Sequence, residues 1–454
     1  MITLQRWRSQ SPQSKKETQT CLGAYATGSE SASFMVQCKS TVFDTMKKMA
    51  RHHLPLVFLF FLVPAFAFSL ETVSALEYVC FMHQGKERSE EGRVVLEGRR
   101  EFGFESRDGQ FYTFMTSPPS GIRNKRNVIA MENLVERKRD DLPFVPYTKA
   151  EMLERLKVEF PPGEGYYHLD MPPFIIVYTT SKAFANWYGS ILGKLHTQYV
   201  SFWKRLGAEL TASEFPMVAI VLSNEERFRL YAKQEGVELF QQQRAYYHKL
   251  SNRIVLYDMS GIQTFREGNQ SRTTPADIRR FLAHPSAYDN VMTVVHEAVH
   301  QVGFNVGMHP RHAPTPVWLH EGLAVLHEVP DLRHPSGWTI GLPHVNRPRL
   351  DQLRQYLNRP HQESPVLKML GDDKLFSAPA TALDNYALAW GITYYLVKRR
   401  PKDLATYLKI LQTKTPESVD SPEIRIKDFE SSFGNDWNAF DKDFLNFLRN
   451  IRLQ

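Results

Sequence analysis

Cysteine is scarce. Only Cys21, Cys38 and Cys80 occur in 454 residues, and the first two precede a stretch that resembles an export signal, so a processed chain would keep Cys80 alone. One thiol excludes an intrachain disulfide framework and a thiolate zinc cluster. Glu77-Tyr78-Val79 before it is wrong for a lipid-attachment site. A net charge of either sign is also nearly missing beyond the first 75 residues. The formal surplus of seven is front-loaded: residues 1–75 hold eight Lys or Arg and four Asp or Glu, which leaves 48 against 45 for the rest. There is no basic stripe interleaved with aromatics and no nucleic-acid module, so no nucleic-acid partner is expected. Internal repeats and low-complexity tracts are absent. What is present, 42% apolar and 12% aromatic residues, is ample for a packed core and excludes a disordered chain.

The first 75 residues read as leader rather than fold. Lys47, Lys48 and Arg51 precede an uncharged run from Leu54 to Leu70, and Val73-Ser74-Ala75 is a small-residue cleavage site, the pattern of an export signal at about 46–75. The expected mature start is Leu76. Residues 1–45, rich in Ser, Thr and Gln, match no targeting element, which makes Met46 or Met49 a candidate initiator and the preceding segment non-native. An uncleaved anchor is the alternative and the one membrane attachment the sequence offers. Either way the remainder is exported, to a periplasm, a cell envelope or the medium.

From Arg93 to Phe114 apolar and polar residues alternate, with turn signals at Glu97-Gly98 and Asp108-Gly109, which predicts short antiparallel strands. Residues 76–140 form a small β-rich unit on this reading, with a linker at 141–148 marked by Pro143 and Pro146, and a second domain at 149–454. Within it, strands are expected at 174–178, 217–222 and 253–257. Helices are expected at 150–158, 181–206 and 225–234.

The most informative stretch is Val291 to Gly303, VMTVVHEAVHQVG, in which His296, Glu297 and His300 form HExxH. Residues four apart on a helix lie one above the other, so two imidazoles can share one ion while Glu297 faces the adjacent water. The surrounding valines and Ala298 make the helix apolar on most sides, and a buried imidazole or carboxylate needs a partner that a cation would supply. A catalytic zinc needs a third protein ligand. Thr315-Pro316 starts a further helix that carries Trp318-Leu319-His320-Glu321-Gly322-Leu323-Ala324 and stops at Pro330, and Glu321 can supply the third ligand. Glu328, two turns on, faces the same way and can orient a ligand imidazole. His309, His312, His320 and His327 are expected at the rim or surface. A third helix is expected over Asp384 to Lys398, and two more at 402–412 and 436–451.

VVHEAVHQ and WLHEGLAVLHE, with twenty residues between His300 and Glu321, resemble the gluzincin metallopeptidases, the class of thermolysin and the zinc aminopeptidases. The layout over roughly 165–450 also resembles an uncharacterised group of exported bacterial gluzincin-like proteins described as a domain of unknown function. The resemblance implies an α+β, zincin-like metallopeptidase fold: a mixed sheet with an active-site helix, a helical C-terminal half and, here, the added β-rich unit. It implies one Zn2+ on His296, His300 and Glu321, Glu297 as the base, and Tyr386, at the start of a similarly spaced helix, as the oxyanion donor. The aminopeptidase substrate motif is imitated only by Ala130-Met131-Glu132-Asn133, over 160 residues upstream, so an endo- or oligopeptidase acting on peptide or protein is favoured. The competing expectation is a zinc-binding cell-envelope scaffold or interaction protein without catalysis.

Overall fold

The turn signals at Gly98 and Gly109 mark real chain reversals in a six-stranded sheet. Its strands are β1 (Ala75–His83), β2 (Lys86–Glu97), β3 (Glu101–Ser106), β4 (Phe111–Met115), β5 (Val128–Ala130) and β6 (Leu134–Pro143). They lie in the order β5-β4-β3-β2-β1-β6, antiparallel except between β4 and β5. At Gly109 φ is +79°, a left-handed conformation that glycine adopts without strain. The computed structural model describes residues 74–452 apart from 84, 119–126, 242, 262–273, 286, 339–344, 362, 379 and 417. The leader and all of the signal-like stretch but Ser74 and Ala75 lie outside the described residues.

A second, five-stranded sheet has the order β10-β11-β9-β8-β7. Its centre is parallel: β8 (Phe174–Tyr178), β9 (Met217–Leu222) and β11 (Arg253–Tyr257) are buried along their whole length. Burial on both faces is why they read as unbroken apolar runs. The edges are antiparallel, with β7 (Tyr167–Met171) pairing β8 and β10 (Ala245–His248) pairing β11. Neither edge strand is legible in the sequence, because their residues face a mixture of protein and solvent. Helices α1 (Lys149–Glu159), α2 (Lys182–Arg205) and α3 (Glu225–Gln234) fall where periodicity puts them. α2 is capped by the Ser181 hydroxyl, which accepts from the Phe184 N–H.

After α4 (Pro275–Ala283) comes α5 (Ala287–Asn305), whose valines are buried. One fully buried amide locks it to the sheet: Gln301 Nε2 donates to Val218 O at 3.0 Å and to Asn252 O at 2.7 Å. The C-terminal half is helical, with α6 (Val317–His327), α7 (Arg347–Leu357), α8 (Pro365–Gly371), α9 (Ala382–Arg399), α10 (Pro401–Gln412), α11 (Pro422–Phe433) and α12 (Trp437–Arg449). α4, α7, α8 and α11 are additions to the helices the sequence predicts. α7 buries only Leu350 and Leu353 among its charged residues, too narrow a stripe to stand out. The fold is α+β, and no described helix is long and apolar enough to cross a membrane.

Candidate metal centre

α5 and α6 bring three ligand atoms together. His296 Nε2 lies 3.0 Å from Glu321 Oε2 and 3.2 Å from His300 Nε2, and His300 Nε2 lies 3.6 Å from Glu321 Oε2. One ligand atom from each residue falls within a 4.8 Å group. Two imidazole nitrogens and a carboxylate oxygen facing one point are the donor types a catalytic zinc takes. The electrostatics agree with a site built for positive charge. Burial pulls the His296 imidazole down, but its hydrogen bonds to Glu321 and Glu328 outweigh that and lift it to about 10. Burial pushes Glu321 up, and His300 and His296 overcome it and hold the carboxyl well below the usual range. The set thus draws in a proton where a cation would satisfy the same carboxylate.

Residues 290–418 match the model of a family described as a protein of unknown function (DUF1570). No curated protein matches the chain. The matched segment holds His296, Glu297, His300, Glu321, Glu328 and Tyr386.

Glu328, 2% exposed, closes the far side of His296. Its Oε2 accepts from His296 Nδ1 at 3.1 Å, while Oε1 accepts from Asn346 Nδ2 at 2.8 Å and Arg349 Nε at 3.3 Å. That arrangement fixes the imidazole so that Nε2 faces the ligand group. Asn346 and Arg349 are additions that sequence reasoning missed. Asn346 is legible in hindsight as the N-cap of α7, since its side chain accepts from Arg349 N–H and Pro348 follows in the first turn. No local pattern marks Arg349.

Glu297 sits beside the ligands and against β10, where its Oε2 accepts the Tyr247 backbone N–H at 2.9 Å. Burial raises its pKa, against the pull of His296 and His300, which makes the carboxylate a better proton acceptor than a solvated glutamate. Tyr386 stands at the start of α9 with its ring 6.1 Å from that of His296 and edge-on to Phe376 at 5.3 Å. Tyr394 and Tyr395 are core residues, 6% and 0% exposed.

Of the four other histidines in this region, two correct the expectation of a rim or surface position and two are half-buried. His309 and His327 are buried, at 2% and 4% exposed. His327 Nε2 accepts from Trp203 Nε1 at 3.1 Å, and burial pushes it down to about 3. His312 stacks on Phe111 at 4.1 Å and meets Glu105 at 3.1 Å. His320 borders the ligand group, its ring 5.3 Å from that of His300. Apolar helices and the loop between them bury these rings, and burial favours neutral imidazole.

Proposed function

We propose that this chain is an exported, gluzincin-type zinc peptidase with a zincin-like catalytic domain. The observation that carries the reading is the convergence of His296, His300 and Glu321 beside a buried Glu297. Bound there, zinc would supply Lewis acidity to the scissile carbonyl and to the attacking water. Glu297 takes the proton of that water as its oxygen bonds to the carbonyl carbon. It then passes the proton to the amine nitrogen as the C–N bond breaks. The Tyr386 phenol donates to the former carbonyl oxygen as negative charge builds on it. Glu328 keeps His296 turned towards the ligand point. Export rests on the signal-like stretch at about 46–75, and peptide or protein is the substrate class.

The test joins metal analysis to a digest of a proteome-derived peptide library. About one zinc per chain is expected, falling towards none in Glu321→Ala. Glu297→Gln should keep the zinc and lose roughly a hundredfold or more in hydrolysis. Normal turnover in Glu297→Gln sinks the mechanism. A zinc-loaded chain that cuts nothing in the library favours the scaffold reading instead.

A further inference from the structure

The Arg349 guanidinium is fixed at two points. Nε donates to Glu328 Oε1 at 3.3 Å, and the guanidinium carbon lies 5.6 Å from the centre of the Tyr386 ring. Both partners lean on the same ligand imidazole, Glu328 at 3.1 Å from His296 Nδ1 and the Tyr386 ring at 6.1 Å from the His296 ring. The guanidinium therefore stands one side chain away from the ligand group.

Its role there exceeds what Glu328 needs. Glu328 already accepts from His296 on one oxygen and from Asn346, at 2.8 Å, on the other. Meanwhile Nη1 and Nη2 of Arg349 have no hydrogen-bond partner among the described residues. The side chain is 21% exposed, so those donors are open to a ligand. A guanidinium is a flat fork, and tying Nε to one carboxylate turns the Nη1/Nη2 edge away from it. A flat edge with two parallel N–H donors matches a second carboxylate, which can accept both at once. A peptide carbonyl would use only part of it.

We propose that Arg349 reads a carboxylate of the substrate, so that the site prefers short peptides carrying a carboxylate within a residue or two of the scissile bond. Its contact with the Tyr386 ring sets the guanidinium beside the phenol that would donate to the carbonyl oxygen. The proposal rests on the peptidase reading for the words substrate and scissile, and its binding step is separable from catalysis. The carboxylate can be the C-terminus or a terminal acidic side chain.

The experiment uses the full chain, zinc-loaded and carrying Glu297→Gln, titrated calorimetrically with three peptides: tetra-alanine, tetra-alanine amide and Ala-Ala-Ala-Glu amide. A carboxylate-bearing peptide should bind roughly tenfold or more tighter than tetra-alanine amide. Preference for tetra-alanine assigns the C-terminus, and preference for the amidated Glu peptide assigns the side chain. Adding Arg349→Gln should bring the ratio to within about twofold of unity, while Arg349→Lys keeps part of it. Equal binding of all three peptides overturns the proposal, as does a preference that survives Arg349→Gln. Zinc lost from Arg349→Gln together with all peptide binding would also overturn it, by making Arg349 a support of Glu328. If the preference is found but the chain with Glu297 intact cuts none of the three, the peptidase reading fails and the role of Arg349 stands.

Discussion

At residue 386 the choice between donor and packing group turns on what the ring touches. Trp390, four residues on, is stacked on Tyr394 at 5.2 Å, whereas Tyr386 lies against His296 and Phe376. Burial first, then the charges of Glu321 and Glu297, raise its pKa. The phenol therefore holds its proton throughout the neutral range and can donate. Tyr386→Phe preserves the ring contacts and removes only the donor, so kcat should fall roughly a hundredfold with zinc content and substrate affinity little changed. Steady-state kinetics beside metal analysis check this, and a kcat within about threefold of the parent, under roughly 1 kcal/mol, makes Tyr386 a packing residue. The residue scale is also where the sequence is most legible. His296, Glu297, His300 and Glu321 declare themselves by spacing, since helical geometry converts an interval of four into a shared face. Arg349 reaches Glu328 only through the tertiary placement of α7, and Tyr247 contributes a backbone N–H, which no side chain advertises.

Between elements, the ligand geometry depends on how closely two helices approach. α6 meets α9 at Gly322, where an added Cβ would overlap Thr393 Oγ1 and stand 2.7 Å from Ala389 O. Thr393 is fully buried and has little room to yield. On another side of α9, a Cβ at Gly391 would overlap Leu353 Cδ2 of α7. The two glycines thus set the spacing of the helices that carry Glu321 and Arg349. Gly322→Ala should cost about 1–3 kcal/mol through overpacking. Because Glu321 is the preceding residue, the same change should weaken zinc binding. Urea midpoints and a zinc titration check both effects, and unchanged values in both would mean that the helix pair yields without moving Glu321. Amphipathic periodicity makes α6 and α9 legible as helices, yet it carries no measure of their separation. The edge strand β10, which holds Glu297, escapes periodicity because only four residues pair there.

Across the whole molecule, ionic contacts tie the six-stranded sheet to the chain around the candidate metal centre. Glu105 of β3 accepts from Arg311 and meets His312, two residues in the loop joining α5 to α6, and Phe111 N–H of β4 donates to Leu250 O at 2.8 Å. The partners of Glu105 stand some two hundred residues away in sequence, so nothing local announces the docking. A second contact has a pH signature. Glu90 of β2, 6% exposed, accepts from Arg155 of α1 at 2.5 Å, while buried Asp108 lies 3.5 Å from the same guanidinium. One cation faces two buried carboxylates, and burial, then Asp108, raise Glu90 to about 7 in spite of Arg155. A glutamate in the unfolded chain titrates near 4.5, so between these values the folded state binds more protons than the unfolded one. Stability must then fall as pH rises through that window, the reverse of the ordinary ion-paired carboxylate, by at most about 3 kcal/mol from this group. Glu90→Gln keeps an acceptor for Arg155 and removes the ionisation. Its stability relative to the parent should be near zero at about pH 4.5 and climb towards that limit by about pH 8. Urea denaturation of both chains across the window measures the difference directly, and parallel curves would mean that Arg155 stabilises an ionised Glu90 enough to cancel its burial.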